Sequence, residues 1–382
     1  MIEFKIIFWI TLAVIFYTYL GYFLFLFIIS LFRKREYSFD ENFLPHVSMV
    51  IAAYNEEKVI EEKIKNCFAL DYPEEKIEFL IGSDGSNDST NEIVEKYTGQ
   101  RLKFYPNLTK RGKVSVVNDL LDEAKGEIIV FSDANTIYEK TAVKNLTGFF
   151  VNKEVGGVSG ELKLSRYKSG SSTDEIKYWN FENRLKELES NFNSVIGATG
   201  GIYAIRKNLC EKLPENRLLT HDFFTSMNVL KKGFKFIYSK NAAASEYSSP
   251  RISDEFIRKI RIAFHNFNGL SYIIGLLNPF KGLVSFQLWS HKVLRWFLPF
   301  IFILNFLVSF ILLQDLIYKI VFFSYTGFMI LGILGLIFEK SGKYFLVFSL
   351  PYYLITVNLA LVIGYFRYIF KLDKNVWKRV ER

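Results

Sequence analysis

The 382-residue sequence has few of the residues that cross-link a protein or bind zinc. It contains two cysteines, and its four histidines show no zinc-ligand spacing. So few cysteines exclude a disulfide scaffold. Two nucleotide-binding signatures are also missing. No Gly-x-Gly-x-x-Gly follows a predicted strand, and Gly112-Lys113 lacks both the upstream glycine and the following Ser or Thr of a P-loop. These absences disfavour zinc proteins, dinucleotide-dependent enzymes and ATPases.

Nucleic-acid signatures are absent as well, because the sequence has no RNP motif and no run of basic residues, although its net charge is +9. We therefore interpret this charge as facing a membrane surface and phosphate groups, and we expect no nucleic-acid partner. Half of the residues are apolar, including 39 Phe and 22 Tyr, yet 23% are charged, close to the roughly 25% typical of soluble proteins. Both figures fit only a chain whose apolar residues are clustered, which indicates a soluble domain joined to membrane segments.

Four long runs carry no charged residue, and a helix needs about 20 residues to cross a bilayer. The runs are Ile6–Phe32 (27 residues), Phe297–Leu313 (17), Ile320–Phe338 (19) and Tyr344–Phe366 (23). The first is too long for the apolar region of a cleaved signal peptide, and Arg33-Lys34-Arg35 follows it, so we predict a retained anchor. Its basic end is expected in the cytoplasm. The sequence therefore predicts an integral protein of the plasma (inner) membrane with its soluble domain in the cytoplasm.

The predicted organisation has six parts. They are a transmembrane helix (1–35), a linker (36–46), a soluble domain (47–255), amphipathic interfacial helices (256–292), about three transmembrane helices (293–370) and a basic tail (371–382). Three spans would place the tail outside, whereas its basic residues favour the inside, so the side of the tail stays open. Trp289 and Trp296 are interpreted as membrane-interface anchors.

Strand-like and helix-like segments alternate through the soluble domain, which predicts a mostly parallel α/β sheet. Ligands of such sheets bind at the carboxyl ends of the strands, where polar and acidic residues recur in this chain. Carboxylates there can bind the ribose and base of a nucleoside diphosphate and can hold Mg²⁺ or Mn²⁺ with its phosphates. Asp84 suits the first role and Asp133 the second. Taken alone, Asp84-Gly85-Ser86 is equally typical of a turn followed by a helix N-cap.

Six short polar or glycine-containing segments follow one another along the chain. They are Ile51-Ala-Ala-Tyr-Asn-Glu56, Ser83-Asp-Gly-Ser-Asn-Asp-Ser-Thr90, Arg111-Gly-Lys-Val-Ser-Val-Val-Asn118, Phe131-Ser-Asp-Ala-Asn135, Gly200-Gly-Ile-Tyr-Ala-Ile-Arg206 and Leu219-Thr-His-Asp222. In order and spacing, they resemble inverting family 2 glycosyltransferases of the GT-A fold, over about residues 47–265. The flanking apolar runs resemble the membrane-integrated branch of that family. The resemblance implies a Rossmann-like mixed α/β sheet in the cytoplasmic domain, together with α-helical transmembrane segments.

The resemblance also implies roles for ten residues. Ala53, Glu56, Asp84, Asp88 and Lys113 would bind the nucleotide, Asp133 and Asn135 would hold Mg²⁺ or Mn²⁺ with the diphosphate, Asp222 would be the general base, and Arg258 and Arg261 would neutralise the leaving group. The implied reaction moves a hexosyl or N-acetylhexosaminyl group from a UDP-sugar to a hydroxyl of a glycan or lipid-linked acceptor. The product would belong to a surface polysaccharide or a glycolipid.

The sequence departs from the family pattern at several places. Ser83 replaces the first acid of Asp-Asp-Gly-Ser, Asn135 replaces the second acid of Asp-x-Asp, and His221 replaces a glutamate. An imidazole at that last position either titrates near neutral pH or is simply packed. Arg261 matches the arginine of the Gln-x-x-Arg-Trp motif of processive synthases, whose Gln and Trp are missing here, which weakens any prediction of polymer synthesis. Two alternatives stay open: a polyprenyl-phosphate glycosyltransferase, and a non-catalytic synthase partner.

Overall fold

The structure is a computed structural model that describes residues 1–165, 173–248, 252–341 and 345–372. Its described residues form one eight-stranded sheet with the strand order β3-β2-β1-β4-β7-β6-β8-β5. The strands are β1 (Val47–Ala53), β2 (Ile77–Asp84), β3 (Leu102–Asn107), β4 (Ile128–Asp133), β5 (Ile137–Tyr138), β6 (Val155–Ser165), β7 (Tyr203–Arg206) and β8 (Lys235–Tyr247). The sheet is mixed, because β3-β2-β1-β4 is parallel whereas β7 is antiparallel to both of its neighbours.

Fourteen α-helices are found in the described part of the chain. They are α1 (Ile2–Phe16), α2 (Tyr22–Phe32), α3 (Ile60–Phe68), α4 (Thr90–Glu95), α5 (Lys113–Glu123), α6 (Ala142–Thr147), α7 (Thr173–Phe192), α8 (His221–Lys231), α9 (Ile252–Asn268), α10 (Leu270–Ile273), α11 (Leu283–Leu288), α12 (Leu294–Ile311), α13 (Leu316–Lys340) and α14 (Leu346–Ile369). Single π-helical turns at Tyr17–Gly21 and Trp289–Val293 join α1 to α2 and α11 to α12.

The apolar runs of the soluble domain become the central strands. Every residue of β1 is buried, because parallel strands flank it on both sides and helices cover both faces of the sheet. This confirms the predicted Rossmann-like mixed α/β sheet. The register between β6 and β8 shifts at Gly160, and the two strands come very close there. A β-carbon at Gly160 would lie 2.4 Å from the carbonyl oxygen of Ala242 in β8, so the close packing needs a glycine.

One of the two cores of the sheet continues into the helices that follow the soluble domain. It joins Phe223 and Phe224 of α8 to Phe267 of α9 and Trp296 of α12. Trp296 is 4% exposed, and its ring centroid lies 5.8 Å from that of Phe223. The prediction that Trp296 anchors the chain at the membrane interface is therefore wrong, because this indole packs inside the protein. Trp289 is 42% exposed and stays a predicted anchor.

Four helices of the described residues are long and apolar enough to cross a membrane. They are Ile2–Phe32, Leu283–Ile311, Leu316–Lys340 and Leu346–Ile369. The second begins well before the predicted run at Phe297, because its first turns carry polar and charged side chains that are held against the soluble domain. The interpretation of the basic tail falls on residues 373–382, which lie outside the described part of the chain.

Helix α9, predicted as an amphipathic surface helix, packs against the last apolar helix. A β-carbon at Gly364 of α14 would lie 2.5 Å from the Ala263 β-carbon and 2.9 Å from the Phe264 backbone nitrogen. The buried face of α9 carries Ile260, Ala263 and Phe264, whereas Ile257 of the same helix is 54% exposed. Only a glycine permits so close an approach of the two helix backbones. Helix α9 is thus held between the soluble domain and the fourth apolar helix.

Candidate active site

Three polar loops meet at one edge of the sheet, because three neighbouring parallel strands end there. In the register of the sheet, Ala53 at the end of β1 pairs with Ser83 of β2, and Ala52 pairs with Asp133 at the end of β4. Ala53 itself is fully buried at the end of β1. This arrangement brings together the loops that follow Ala53, Asp84 and Asp133, as the alternation of strands and helices predicts.

Asp84 is fully buried and fastens the loop that precedes α5. Its carboxylate accepts hydrogen bonds from the backbone N–H groups of Arg111, at 2.7 Å, and Gly112, at 2.9 and 3.0 Å. Burial raises the pKa of Asp84, and the two N–H groups and the nearby Lys110 and Arg111 side chains oppose that rise. Asp84 therefore shapes the loop that leads to Lys113, and it does not cap the following helix.

Asp88 ties the loop after β1 to the loop after β2. Its carboxylate accepts from the backbone N–H groups of Thr90, at 3.0 Å, and Glu57, at 3.2 Å. The Thr90 hydroxyl in turn accepts from the Glu56 backbone N–H at 2.8 Å. Glu56 and Asp88, both predicted to bind the nucleotide, thus lie in two loops that hydrogen bonds hold together, beside Asp84.

Lys113 and Asp133 form an ion pair between the start of α5 and the end of β4, and each side chain is about one-third exposed (33%). Beside this pair, the amide nitrogen of Asn135 donates to a carboxylate oxygen of Glu246 at 2.9 Å. Glu246, near the end of β8, is 8% exposed and was not found from the sequence. No motif surrounds it, and it reaches the site from 111 residues away.

The donor set around Asp133 fits a hard divalent cation. Because the Asn135 amide nitrogen donates a hydrogen bond to Glu246, the carbonyl oxygen of Asn135, two residues after Asp133, is left as a neutral oxygen donor. Oxygen donors of this kind are the ligands that Mg²⁺ and Mn²⁺ prefer. In the described residues no group of three His, Cys, Asp or Glu side chains could hold a metal alone. A cation bound here therefore needs further oxygens from a ligand.

Asp222 lies in the first turn of α8 and faces the glycine pair of the 200–206 segment. A β-carbon at Gly200 would lie 3.0 Å from the Oδ2 atom of Asp222. Burial raises the Asp222 pKa, the Lys113 ammonium opposes the rise and the Asp133 carboxylate adds to it. The carboxylate of Asp222 therefore sits in the same electrostatic environment as the Lys113–Asp133 pair and has the raised proton affinity of a base.

His221 is packed beneath the site rather than exposed in it. It is 7% exposed, and its Nδ1 atom lies 2.9 Å from the Tyr203 hydroxyl. Burial, assisted by the Lys113 charge, lowers the His221 pKa to about 3. The imidazole is therefore neutral at physiological pH. Of the two interpretations of this histidine, titration near neutrality is wrong and packing is correct.

The two arginines of α9 have different surroundings. Arg258 is paired with Glu255 at 2.5 Å and with Glu175 of α7 at 2.8 Å, and its side chain is 15% exposed. Burial lowers the Arg261 pKa, the Arg258 charge lowers it further, and the Asp133 carboxylate raises it. The structure thus brings Arg261 into the field of Asp133, whereas Arg258 holds α9 to α7.

We expect opposite results from two substitutions in α9. Arg258→Ala leaves two buried carboxylates without their shared cation, so it should destabilise the fold by about 3 kcal/mol and lower the thermal midpoint by about 5–10 °C. Arg261→Ala should lower turnover about 100-fold with a smaller change of midpoint, because it removes a cation from the site. Thermal unfolding and nucleotide release, measured on both variants, check this. Equal losses of turnover at equal midpoints would contradict the assignment.

Gly200→Ala tests the contact between the glycine pair and Asp222. The new β-carbon would push the carboxylate by a few tenths of an ångström, so we expect kcat to fall about tenfold while the thermal midpoint is maintained. Gly99→Ala is the matched control, because a β-carbon there meets nothing within 4 Å. Steady-state kinetics of the two variants decide the matter, and unchanged kcat in Gly200→Ala would show that the carboxylate is not held in a catalytic position.

The sheet and the loops at its edge form a domain of the GT-A fold. Residues 48–214 match the family model described as glycosyl transferase family 2. This segment of the chain is similar to family 2 glycosyltransferases, and in the described residues four helices long and apolar enough to span a membrane accompany it. The resemblance recognised in the motifs is confirmed.

Two curated relatives differ in how much of their length is matched. A dolichyl N-acetyl-alpha-D-glucosaminyl phosphate 3-beta-D-2,3-diacetamido-2,3-dideoxy-beta-D-glucuronosyltransferase of Methanococcus voltae is 23% identical over 85% of this chain and 97% of its own. A poly-beta-1,6-N-acetyl-D-glucosamine synthase of Staphylococcus aureus is 26% identical over 55% of this chain. The chain spans about half the length of this synthase (51%) and of a second bacterial relative (48%).

A solved structure shares the fold over nearly the whole chain. The mannosyltransferase of Pyrobaculum calidifontis, determined in complex with GDP-Man and Mn²⁺, superposes with a TM-score of 0.75 at 20% sequence identity. The match covers 97% of this chain and 100% of that one, so the shared fold includes the apolar helices as well as the catalytic domain.

Proposed function

We propose that the protein transfers a hexosyl or N-acetylhexosaminyl group from a UDP-sugar to a hydroxyl of a glycan or lipid-linked acceptor, with inversion at the anomeric carbon. The observation that carries this proposal is the placement of the Asp222 carboxylate against Gly200, in the same electrostatic environment as the Lys113–Asp133 pair. An in-line displacement requires a base beside the attacking hydroxyl and positive charge beside the leaving diphosphate.

In the proposed reaction, Asp222 accepts the proton of the acceptor hydroxyl while that oxygen attacks the anomeric carbon. The bond between this carbon and the diphosphate oxygen breaks, and the diphosphate leaves with the electron pair. Lys113, which pairs with Asp133, and Arg261, which is in the field of Asp133, would neutralise the charge that develops on it. Asp133 and Asn135 would hold Mg²⁺ or Mn²⁺, which supplies further positive charge to the diphosphate when bound.

The nucleotide side of the proposal rests on the loops at the strand ends. Asp88 fixes the loops after β1 and β2, and Asp84 fixes the loop before α5, so that Glu56 would line the space for uridine above the buried Ala53. The Pyrobaculum mannosyltransferase was solved with GDP-Man and Mn²⁺, which makes a guanosine donor the natural competitor in any test. The sugar itself is left to experiment.

The orientation of the protein is proposed from the first apolar helix. Arg33, Lys34 and Arg35 follow its last residue, and Arg35 pairs with Glu154 of the catalytic domain at 2.7 Å. The basic end of the helix and the catalytic domain are thus on the same side. Because basic residues favour the cytoplasmic side, we place the catalytic domain in the cytoplasm and the helices in the plasma (inner) membrane.

The test uses the purified full chain in detergent, incubated with a panel of UDP- and GDP-sugars, Mg²⁺ or Mn²⁺, and glycan or lipid-linked acceptors. We expect UDP release that requires both one particular UDP-sugar and an acceptor, and a product whose size shows whether one sugar or many were added. Release of GDP only, or of no nucleotide from any donor, would contradict the proposal.

A further inference from the structure

The segment Gly197–Gly201 connects the proposed base to two lysines. A β-carbon at its first residue would lie 3.7 Å from the Cε atom of Lys292. Two residues further on, the Thr199 hydroxyl accepts a hydrogen bond from the Lys186 ammonium at 2.6 Å. The next residue is the glycine that faces Asp222. Lys292, Lys186 and Asp222 therefore follow one another along five residues of backbone.

The carboxylates of this region are engaged by other partners. Glu182 of α7 is paired with Arg295 and lies 3.2 Å from the Nε2 atom of His291, and that ring nitrogen also lies 3.1 Å from the Lys292 ammonium. Glu189 accepts from the Tyr22 hydroxyl at 2.8 Å, and His291 lies 2.9 Å from the same oxygen. The network thus joins α7 to the first and second apolar helices. Its two glutamates are satisfied by an arginine, an imidazole and a phenol.

The two lysines have much weaker counter-charges. Lys186 is 4% exposed and, within the part of the chain that the structure describes, pairs with no carboxylate within 4 Å. Lys292 comes no nearer to Glu182 than 4.0 Å. Burial lowers the Lys186 pKa to about 8 and the charge of Lys292 adds to the effect, while the more distant carboxylates of Glu182, Asp222 and Glu189 oppose it. A buried ammonium group (Lys186) beside a partly buried one (Lys292, 20% exposed), neither with a carboxylate at hydrogen-bond distance in the described residues, is costly unless an anion joins them.

A donor group without an acceptor lies beside them. The ring of Trp179 is 5.7 Å from the Lys186 ammonium nitrogen, and its buried indole N–H has no hydrogen-bond acceptor among the described residues. Lys186 and Trp179 both belong to α7, whereas Lys292 belongs to the second apolar helix. The positive charge is therefore placed between the base and the helix that leads into the membrane.

We propose that Lys186 and Lys292 bind the phosphate of a lipid-linked glycan acceptor, whose reacting hydroxyl then lies at Asp222. This inference rests on the proposed function and names its acceptor class. The phosphate joins the sugar to its lipid, so it occupies the membrane side of the site while the sugar extends along Gly197–Gly201. A neutral glycan would bring no charge to the two lysines. A phosphate that itself attacked the donor would have to lie at Asp222, where two negative charges repel.

The experiment measures binding without turnover. The full chain in nanodiscs of phosphatidylcholine, with the donor site filled by UDP and Mn²⁺, is titrated calorimetrically with decyl phosphate and with the uncharged decyl glucoside. We expect decyl phosphate to bind at least about tenfold more tightly than the glucoside. Lys186→Met and Lys292→Met should each weaken decyl phosphate binding about tenfold or more, with no change for the glucoside. Lys186→Arg should keep it within about threefold.

Lys177→Met is the matched control, because Lys177 lies on the exposed side of the same helix and should leave both affinities unchanged. If Lys186→Met binds decyl phosphate as the parent does, or loses both ligands equally, the proposal is wrong. Displacement by inorganic phosphate at the same concentration as decyl phosphate would also overturn it, since the site would then serve free phosphate. A chain that binds decyl phosphate but releases no nucleotide would overturn the proposed reaction and leave the lysine site standing.

Discussion

Asp222→Asn is expected to lower kcat about 10²–10⁴-fold while UDP affinity stays within about twofold. A hydroxyl is a poor nucleophile at neutral pH, and Asp222 is the carboxylate that faces the glycine pair of the acceptor-side segment. The amide has nearly the same shape but takes up no proton. Nucleotide release with donor and acceptor present measures kcat, and calorimetric titration with UDP measures donor binding.

The pH profile gives a second reading of the same residue. Burial raises the Asp222 pKa, so its working, deprotonated form is lost as the pH falls through a value above that of an ordinary aspartate. Asp122→Asn is the control, because Asp122 lies on the surface, paired with Lys212, and should leave both rate and profile unchanged. Near-full activity of Asp222→Asn would show that the acceptor needs no base. The polyprenyl-phosphate alternative would then be the better description.

Removal of the divalent cation should have an effect of similar size. Excess EDTA is expected to lower turnover at least about 100-fold, and added Mg²⁺ or Mn²⁺ should restore it, because the leaving diphosphate then loses its principal counter-charge. Asp133→Asn should lower turnover as much and resist rescue, since the substitution removes the charged oxygen at the end of β4. Both are measured by nucleotide release, with EDTA presaturated with Mg²⁺ as the control.

Activity that persists in excess EDTA would contradict a metal-dependent mechanism. In that case Lys113, without a metal ion, would neutralise the diphosphate, and Asp133 would serve to position Lys113. Glu246→Gln offers a graded comparison. It keeps a hydrogen-bond acceptor for the Asn135 amide while it removes a nearby charge.

The catalytic fold was predictable because its signals are local. The buried run Val47–Ala53 reads as a strand, and the helical spacing after it repeats along the chain. The start of the second apolar helix was not predictable, because His291, Lys292 and Arg295 interrupt the hydrophobic run. His291 and Arg295 contact Glu182 and Glu189 of α7, about a hundred residues away, and these contacts are visible only in three dimensions.

The site residues likewise fall into those that the sequence predicts and those that it does not. Asp84, Asp133 and Asp222 stand in short motifs, so the sequence identifies them, but it does not say what each contacts. Asp84 is engaged by the loop before α5, a contact that no motif reports. Glu246, Lys186 and Lys292 come from segments without any motif and meet the site only through the packing of β8, α7 and the second apolar helix. Arg258 and Arg261 have different partners, although only three residues separate them on α9.

The stereochemical outcome of transfer tests the central claim most directly. The full chain is incubated with its preferred α-linked UDP-sugar, a divalent cation and an acceptor, and the anomeric configuration of the first product is read by proton NMR while UDP release is measured. The account predicts a β-linked product, formed in equal amount to the UDP released and lost in Asp222→Asn. An α-linked product, or UDP release without transfer to a hydroxyl, would contradict it.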